Sequence, residues 1–386
     1  SEKMAPGDGI ANADEVRAAA QIAAQRLILA DLEGLAVAEG SVISASLLGA
    51  LAGSGALPFP RDAFEAAIRA GNNGVAPSLR AFAAGYQAAR GRTSASAEPA
   101  SAPKTLVVHG PSAQLRDWQR LTDRIAAFPA PVQAMALHGL RKVVTFQDIA
   151  YGADYLDHLN GILALDDSAR GYVLTTEAAK YIANAMAYDD IIRVADLKTR
   201  AGRFARVRAE MGAQNDTVMQ ITEFMHPRAM EVVGMLPARF GAWLDANGKW
   251  MARIDRLVNK GRRLRSDSLT SFIQLYLIAS LRRWRRGNLR HAIEVAHMAH
   301  WLDLVRETAP VNPDLAVELL RCRRLVKGYS DTHARGLSRF DHVLDGIALV
   351  KNRPDAAAWA RRLREAALQD EDGKALDGAI LTVKSF

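Results

Sequence analysis

Arginine is the residue type of this chain best suited to chemistry, because it arrives in groups. Arg262, Arg263 and Arg265 precede an apolar stretch, and Arg282, Arg283, Arg285 and Arg286 close it. Arg321, Arg323, Arg324 and Lys327 end a later helical pattern just before Gly328. A guanidinium fork matches phosphate and carboxylate oxygens two at a time, so such groups could converge on a polyanionic ligand or an acidic protein face. They could equally pair internally with acids such as Asp189, Asp190 and Asp196, and with the unpaired carbonyls at helix C-termini. Both alternatives stay open at this level. The candidates for binding an anion or a partner are Arg262, Arg263, Arg265, Arg282, Arg283, Arg285, Arg286, Arg324 and Lys327.

Other constellations are weaker. His291, Glu294, His297 and His300 recur every third residue. A strict period of three drifts round a helix by about 60° per step, so all four cannot meet one ion, and they fit better as polar groups satisfied between helices. Ser330, Asp331 and His333 include nucleophile-type residues, but adjacency in sequence does not make a triad. Gly7-Asp8-Gly9 with Asn12 has the start of a thiamine diphosphate motif, in which Asp and Asn oxygens hold magnesium. Where the asparagine pair should follow stands GLAVAEGS, and Asn72-Asn73 lies too far along. One cysteine, Cys322, leaves no internal disulfide and no self-contained iron–sulfur or cysteine-rich zinc site. No catalytic residue and no metal ligand is assigned.

The elements that must position these groups are mostly helices. The 386 residues are 49% hydrophobic and only 6% aromatic, rich in alanine and poor in β-branched runs. That length predicts two domains or more. The net charge of +8 suggests an anionic partner without naming it. Nucleic acid is disfavoured, since few aromatics interleave with the arginines. The N-terminus lacks the apolar core of a signal peptide, and the uncharged run Ser41 to Pro60 is interrupted by Ser, Gly and Pro, so a buried helix plus loop is expected rather than a membrane span. A reducing, cytoplasmic compartment follows from the cysteine count.

Along the chain, a helix from Asp14 leads to a short apolar run at Leu27 to Leu29 that reads as a strand. Helices follow from Asp31, over Val42 to Ala52, after Pro60, and over Pro77 to Arg90. A lone strand needs pairing partners from elsewhere. Residues 91–104, GRTSASAEPASAPK, are a linker. Beyond a possible strand at Thr105 to His109, helical patterns run from Leu115 almost to the end. The stretch Gly261 to Trp301 sets eight arginines against two acids round an apolar helix. Leu269, Phe272, Ile273 and Tyr276 share one stripe, and other faces are apolar too, so this is expected to be a central buried helix. It should turn back at Gly287-Asn288 as a hairpin with a helix that buries Ala292, Ile293, Ala296, Ala299 and Trp301. The fold class expected is mainly α, with a partial α/β unit followed by a larger all-helical one.

Two groups of residues carry a resemblance. KMAPGDGIA, SVISASLLGALAGSGALPFPRDAFEAAIR and SLRAFAAGY resemble the C-terminal half of the gamma-type domain of 2-oxoacid:ferredoxin oxidoreductases. GRRLRSDSLTSFIQLYLIASLRRWRRGNLRHA and RRLVKGYSDTHARGLSRF resemble the helical extension that follows it in indolepyruvate oxidoreductase beta subunits. The resemblance implies a gamma-type half-domain over 1–90, the linker over 91–104 and a helical domain over 105–386. It implies a subunit of an enzyme that converts arylpyruvates to aryl-acetyl-CoA and passes electrons to ferredoxin. In that family thiamine diphosphate, magnesium and iron–sulfur clusters sit on a partner alpha subunit or another part of a longer chain, with CoA a possible ligand here. The first half of the gamma domain is missing before Ser1, so the chain is expected to be a fragment. The contrasting expectation is a free-standing helical scaffold with a basic partner-binding surface.

Overall fold

A computed structural model describes residues 28–71, 74–91, 110–211, 217–328, 331–369 and 373–385. The described residues form a mainly α protein with 19 α-helices and two strands. Several helices begin where the sequence supplies a cap. Asp31, Asp148, Asn288 and Asn312 each accept a hydrogen bond from the backbone N–H three residues on, satisfying one of the orphan donors of a first turn.

The described chain divides into two compact units, one of residues 28–71, 74–91, 198–211 and 217–221, the other of 110–197, 222–328, 331–369 and 373–385. In the first, α1 (Leu32–Ala38), α2 (Ile43–Ser54), α3 (Arg61–Arg69) and α4 (Val75–Ala89) follow the expected helical stretches. The expected strand is absent from its described part: Ile28 and Leu29 are not in a strand, and Leu29 is 62% exposed. The Asp31 cap starts a helix immediately after Ala30, which leaves no room for a longer strand. No strand occurs among this unit's described residues, so they contain no α/β layer. The expected strand at Thr105 to His109 lies outside the described residues, as do the helix from Asp14 and nearly all of the linker.

Helix α2 buries its small residues, Ala45, Ser46, Gly49, Ala50 and Gly53, and leaves Ile43, Leu47 and Leu51 exposed, rather than being buried throughout. Its crossing with α4 explains why. A β-carbon on Gly49 would overlap the Phe82 carbonyl oxygen, and one on Gly85 the Ser46 carbonyl oxygen. The backbones touch because both positions lack a side chain. Gly85→Ala is therefore expected to force the helices apart and to destabilise this unit by about 1–3 kcal/mol, the usual cost of overpacking. Urea denaturation of the whole chain, with protection followed in α2 and α4 by hydrogen exchange, measures it.

In the second unit α5 (Ser112–Ala126), α6 (Ala130–Phe146), α7 (Ile149–Leu163) and α8 (Val173–Met186) pack with the later helices round one core. The helical stretch from Val173 to Glu210 is three helices, α8, α9 (Ile191–Thr199) and α10 (Ala201–Glu210), the last of which belongs to the first unit. The break falls at Asp190, whose Oδ1 accepts from Arg193 N at 2.5 Å. Helix α8 is the buried centre, with Leu174, Ala178, Ala179, Ile182, Ala183 and Met186 all inside. The Tyr155 hydroxyl donates to the Ala179 carbonyl at 2.9 Å, so the core tyrosine is not left unsatisfied.

The larger unit is not all-helical. β1 (Thr222–Met225) and β2 (Arg262–Arg265) pair antiparallel, Phe224 opposite Arg263. Between them lie α11 (Ala229–Gly234), α12 (Ala238–Asp245) and α13 (Gly248–Val258). After β2 come α14 (Leu269–Ser280), a 3₁₀ turn over Leu281–Gly287, and α15 (Leu289–Thr308). The chain ends, among the described residues, with α16 (Pro313–Arg321), a 3₁₀ turn (Cys322–Leu325), α17 (Asp331–Val350), α18 (Ala356–Gln369) and α19 (Lys374–Lys384).

Helix α14 is not the central helix. Only Leu275 is buried, while Leu269, Tyr276 and Leu277 are 75%, 58% and 61% exposed. An all-round apolar helix needs apolar neighbours on all sides, and this chain supplies one on a single side. Helix α15 reverses the expected face as well. Ala292, Ile293, Ala296 and Ala299 point outward, whereas His291, Glu294, Met298, Trp301, Leu302 and Val305 are buried. Only Trp301 of the expected inner set lies inside. The polar N-terminal half faces inward because the acid and the histidines find partners there.

Candidate functional site

The 3₁₀ turn after α14 delivers Arg285 into the core, where it is 1% exposed. Its Nε donates to Asp190 Oδ2 at 2.9 Å and its Nη2 to Asp190 Oδ1 at 3.1 Å, a two-point guanidinium–carboxylate pair. Nη1 donates to the Phe146 carbonyl and to Gln147 Oε1, both at 2.9 Å, and the guanidinium lies 4.2 Å from the Phe146 ring centroid. Arg282 donates from Nε to the Gln147 carbonyl at 2.8 Å, and Gln147 Nε2 donates back to the Arg282 carbonyl at 3.0 Å. Two arginines thus close the C-terminal end of α6, where the last carbonyls have no partner within the helix.

A second buried knot centres on Glu294, 2% exposed. Its carboxylate lies 2.8 Å from Arg290, 3.4 Å from Arg323 and 2.7 Å from His333 Nε2. Burial pushes the Glu294 carboxyl upward, but the His333 hydrogen bond and the charges on Arg290, His333 and Arg323 outweigh it and hold it down at about 2. Arg323 Nη1 also meets His297 Nδ1 at 2.8 Å, and His297 Nε2 faces Asp341 Oδ1 at 3.3 Å. Burial and the Arg323 charge hold the His297 imidazole below its usual range. The four polar residues of α15 therefore diverge: His291 pairs with the Tyr188 hydroxyl at 3.2 Å, Glu294 and His297 join the arginine knot, and His300 is exposed. Among the described residues no group of three or more His, Cys, Asp or Glu is arranged to hold a metal ion.

Two cavities adjoin this knot. One, of about 610 Å³, is mostly apolar and is walled by Ala229, Met230, Met235, Met251, Ile293 and Leu337. The other, of about 560 Å³, is a basic cleft with Lys142, Lys180, Arg193, Arg323, Arg324 and Lys327 in its wall. Asp189 and His333 belong to the walls of both.

The predicted candidates thus separate into three places. Arg285 is fully enclosed by protein partners, and Arg286 pairs with Asp154 at 2.6 Å on the surface. Arg262, Arg263, Arg265 and Arg283 flank α14 along the chain: Arg265 pairs with Asp267 at 2.7 Å, Arg263 covers the Phe224 ring and Arg283 the Trp284 ring. Arg324 and Lys327 line the basic cleft. Lys142, Lys180 and Arg193 were not among the candidates, because single cations on three separate helices leave no local pattern in sequence. Cys322 is buried and its thiol is pushed up to about 12, which keeps it a neutral packing residue.

Compared with known families, residues 132–346 match the family model for DUF6537, described as a family of unknown function. The chain belongs to the DUF6537 family. No curated protein and no solved structure matches it. Both cavities, the Arg285–Asp190 pair and the Glu294 knot fall within the residues shared with DUF6537, whereas α1 to α5, α18 and α19 fall outside them.

Proposed function

We propose that this DUF6537 chain is a non-redox subunit of a 2-oxoacid:ferredoxin oxidoreductase that converts arylpyruvates such as indolepyruvate to aryl-acetyl-CoA. The sequence resemblance described above suggests the reaction. The structural observation that supports it is α14. This helix carries no charged residue, exposes Leu269, Phe272, Ile273, Tyr276 and Leu277, and is flanked by arginines on both sides. An exposed apolar face of that kind gains by being covered, and its arginine rim suits a chain with acidic residues round an apolar surface. The occupant is the chain that bears thiamine diphosphate, magnesium and the iron–sulfur clusters, with ferredoxin as the electron acceptor of the assembly. Decarboxylation and electron transfer belong to those cofactors, and no residue here is given a catalytic role.

Purification from the native source tests this. A brown complex with a second, cluster-bearing polypeptide and arylpyruvate-dependent dye reduction is expected. A colourless chain travelling alone overturns the subunit assignment and favours a free-standing scaffold. The double variant Ile273→Asp and Leu277→Asp is expected to leave the melting temperature of the isolated chain within a few degrees, because both positions are exposed, and to reduce recovery of the brown companion at least tenfold. Undiminished recovery would remove α14 from the interface. Among the described residues no single helix is long and apolar enough to cross a membrane.

A further inference from the structure

From the apolar cavity walled by α11, α13, α15 and α17 we infer that this chain binds a small organic amine. An apolar or aromatic body fills the cavity, and its ammonium meets the carboxylates of Glu231 and Asp255. The inference stands on this one cavity and does not depend on the subunit assignment.

A volume of about 610 Å³ suits a small organic ligand, and all the lining residues belong to the second unit. Met230 comes from α11, Met235 from its C-terminal end, Met251 from α13, Ile293 from α15 and Leu337 from α17. Unbranched thioether side chains reshape readily round an apolar or aromatic body.

The charges of the wall select the head group. Asp190 is held by Arg285, while Arg290 and His333 are both held by Glu294, so these three wall residues are balanced from within the protein. Asp189 also borders the basic cleft and shares that wall with its cations. Glu231 and Asp255 then remain against Arg228. Glu231 Oε2 accepts from the Arg228 backbone N–H at 3.0 Å and Asp255 Oδ1 from the Ala229 N–H at 3.1 Å, so bonds to consecutive backbone groups hold the two carboxylates side by side. Asp255 Oδ2 takes a further bond from Asn259 at 2.8 Å. That bond, then the Ala229 N–H, with a smaller contribution from the Arg228 charge, keeps the Asp255 carboxyl below its usual range and ionised at neutral pH. Glu231 Oε1 is buried and accepts no hydrogen bond. A buried carboxylate oxygen without a donor is costly, and an ammonium supplies donor and charge together. Two carboxylates against at most one guanidinium call for one positive charge, that of a monoamine, and repel an anionic head group.

Isothermal titration of the full chain with three probes that share one body, phenylbutylamine, phenylbutanol and phenylbutyrate, tests the assignment. Saturable binding of the amine is expected, tighter than that of the alcohol by on the order of tenfold, the gain from a charge-assisted contact, with no measurable binding of the anion. Raising NaCl should bring the amine toward the alcohol. Glu231→Gln and Asp255→Asn keep an acceptor oxygen for the backbone groups of Arg228 and Ala229; each should weaken the amine on the order of tenfold and leave the alcohol unchanged. Glu307→Gln, exposed outside the cavity, should change neither. Ala252 is an exposed residue of the cavity wall, so Ala252→Trp adds bulk there without entering the core, and it should weaken amine and alcohol together. Thermal melts within a few degrees of the unaltered chain show that each variant is folded. No saturable binding of the amine, or binding that Ala252→Trp leaves unchanged in a folded chain, overturns the cavity as the site. Alcohol or anion binding as tightly as the amine, or an amine affinity that neither acid variant alters, overturns the assigned head group.

Discussion

Replacing Arg285 by alanine is expected to lower the melting temperature of this protein by on the order of 10 °C. The guanidinium is 1% exposed and holds both oxygens of Asp190, itself 7% exposed. Its removal leaves a buried carboxylate without its counter-charge and frees the carbonyl of Phe146 at the end of α6. Breaking one side of a buried pair costs about 3–5 kcal/mol, and about 2–4 °C is lost per kcal/mol in a domain of this size. The double change Arg285→Met with Asp190→Asn should recover much of the loss, because both charges are then gone and the space is refilled. Thermal melts of the three proteins decide it. A single variant that melts like the unaltered chain would show that the pair contributes nothing net.

Replacing Glu294 by alanine is expected to be comparably destabilising. Arg290, Arg323 and His333 converge on this one carboxylate, and Arg323 is 4% exposed. Without it, two guanidinium groups face each other with no acid between them, again a loss of about 3–5 kcal/mol. The pH dependence isolates the carboxylate from the rest of the packing. Its carboxyl titrates at about 2 in the folded chain against 4.5 for a free glutamate. A depressed folded value means that the unfolded chain binds the proton first. The stabilisation is therefore complete above pH 4.5 and is lost as pH falls toward 2, a loss of about 3 kcal/mol at most. Glu294→Gln should melt lower than the unaltered chain at pH 7, and the gap should narrow below pH 4. A constant gap from pH 7 to pH 3 would sink the assignment.

Much of the helical layout was readable because it depends on local chemistry. The starts of α1, α7, α15 and α16 are written in Asp31, Asp148, Asn288 and Asn312, side chains that satisfy backbone donors three residues away. The arginine groups were also visible, since they are contiguous. What each arginine does was not. Arg282 and Arg285 reach a helix end about 140 residues earlier in the chain, while Arg283, next to them, stays over the exposed Trp284. In a 3₁₀ turn neighbouring side chains leave in different directions, so the sequence cluster is divided between core and surface. The cleft was less legible still. Lys142 and Lys180 carry no local signal, and only the packing of α6 against α8 brings them to one wall.

Hydrophobic pattern was the least reliable guide at the centre of the chain. Helix α14 has the composition of a core helix and is largely exposed, and α15 turns alanines outward and a glutamate inward. Periodicity reports which residues share a stripe, but the stripe that is buried depends on what the rest of the chain offers opposite it. By itself the sequence determined a mainly α protein, the start of several helices, a surplus of positive charge and a single cysteine, because propensity, capping and net charge are properties of short segments. Tertiary structure alone decided that Glu294 rather than an alanine stripe faces inward, that Arg285 is a core clamp, and that six cations from four segments of the chain line one cleft, because ion pairs and cavities join residues that the chain keeps far apart.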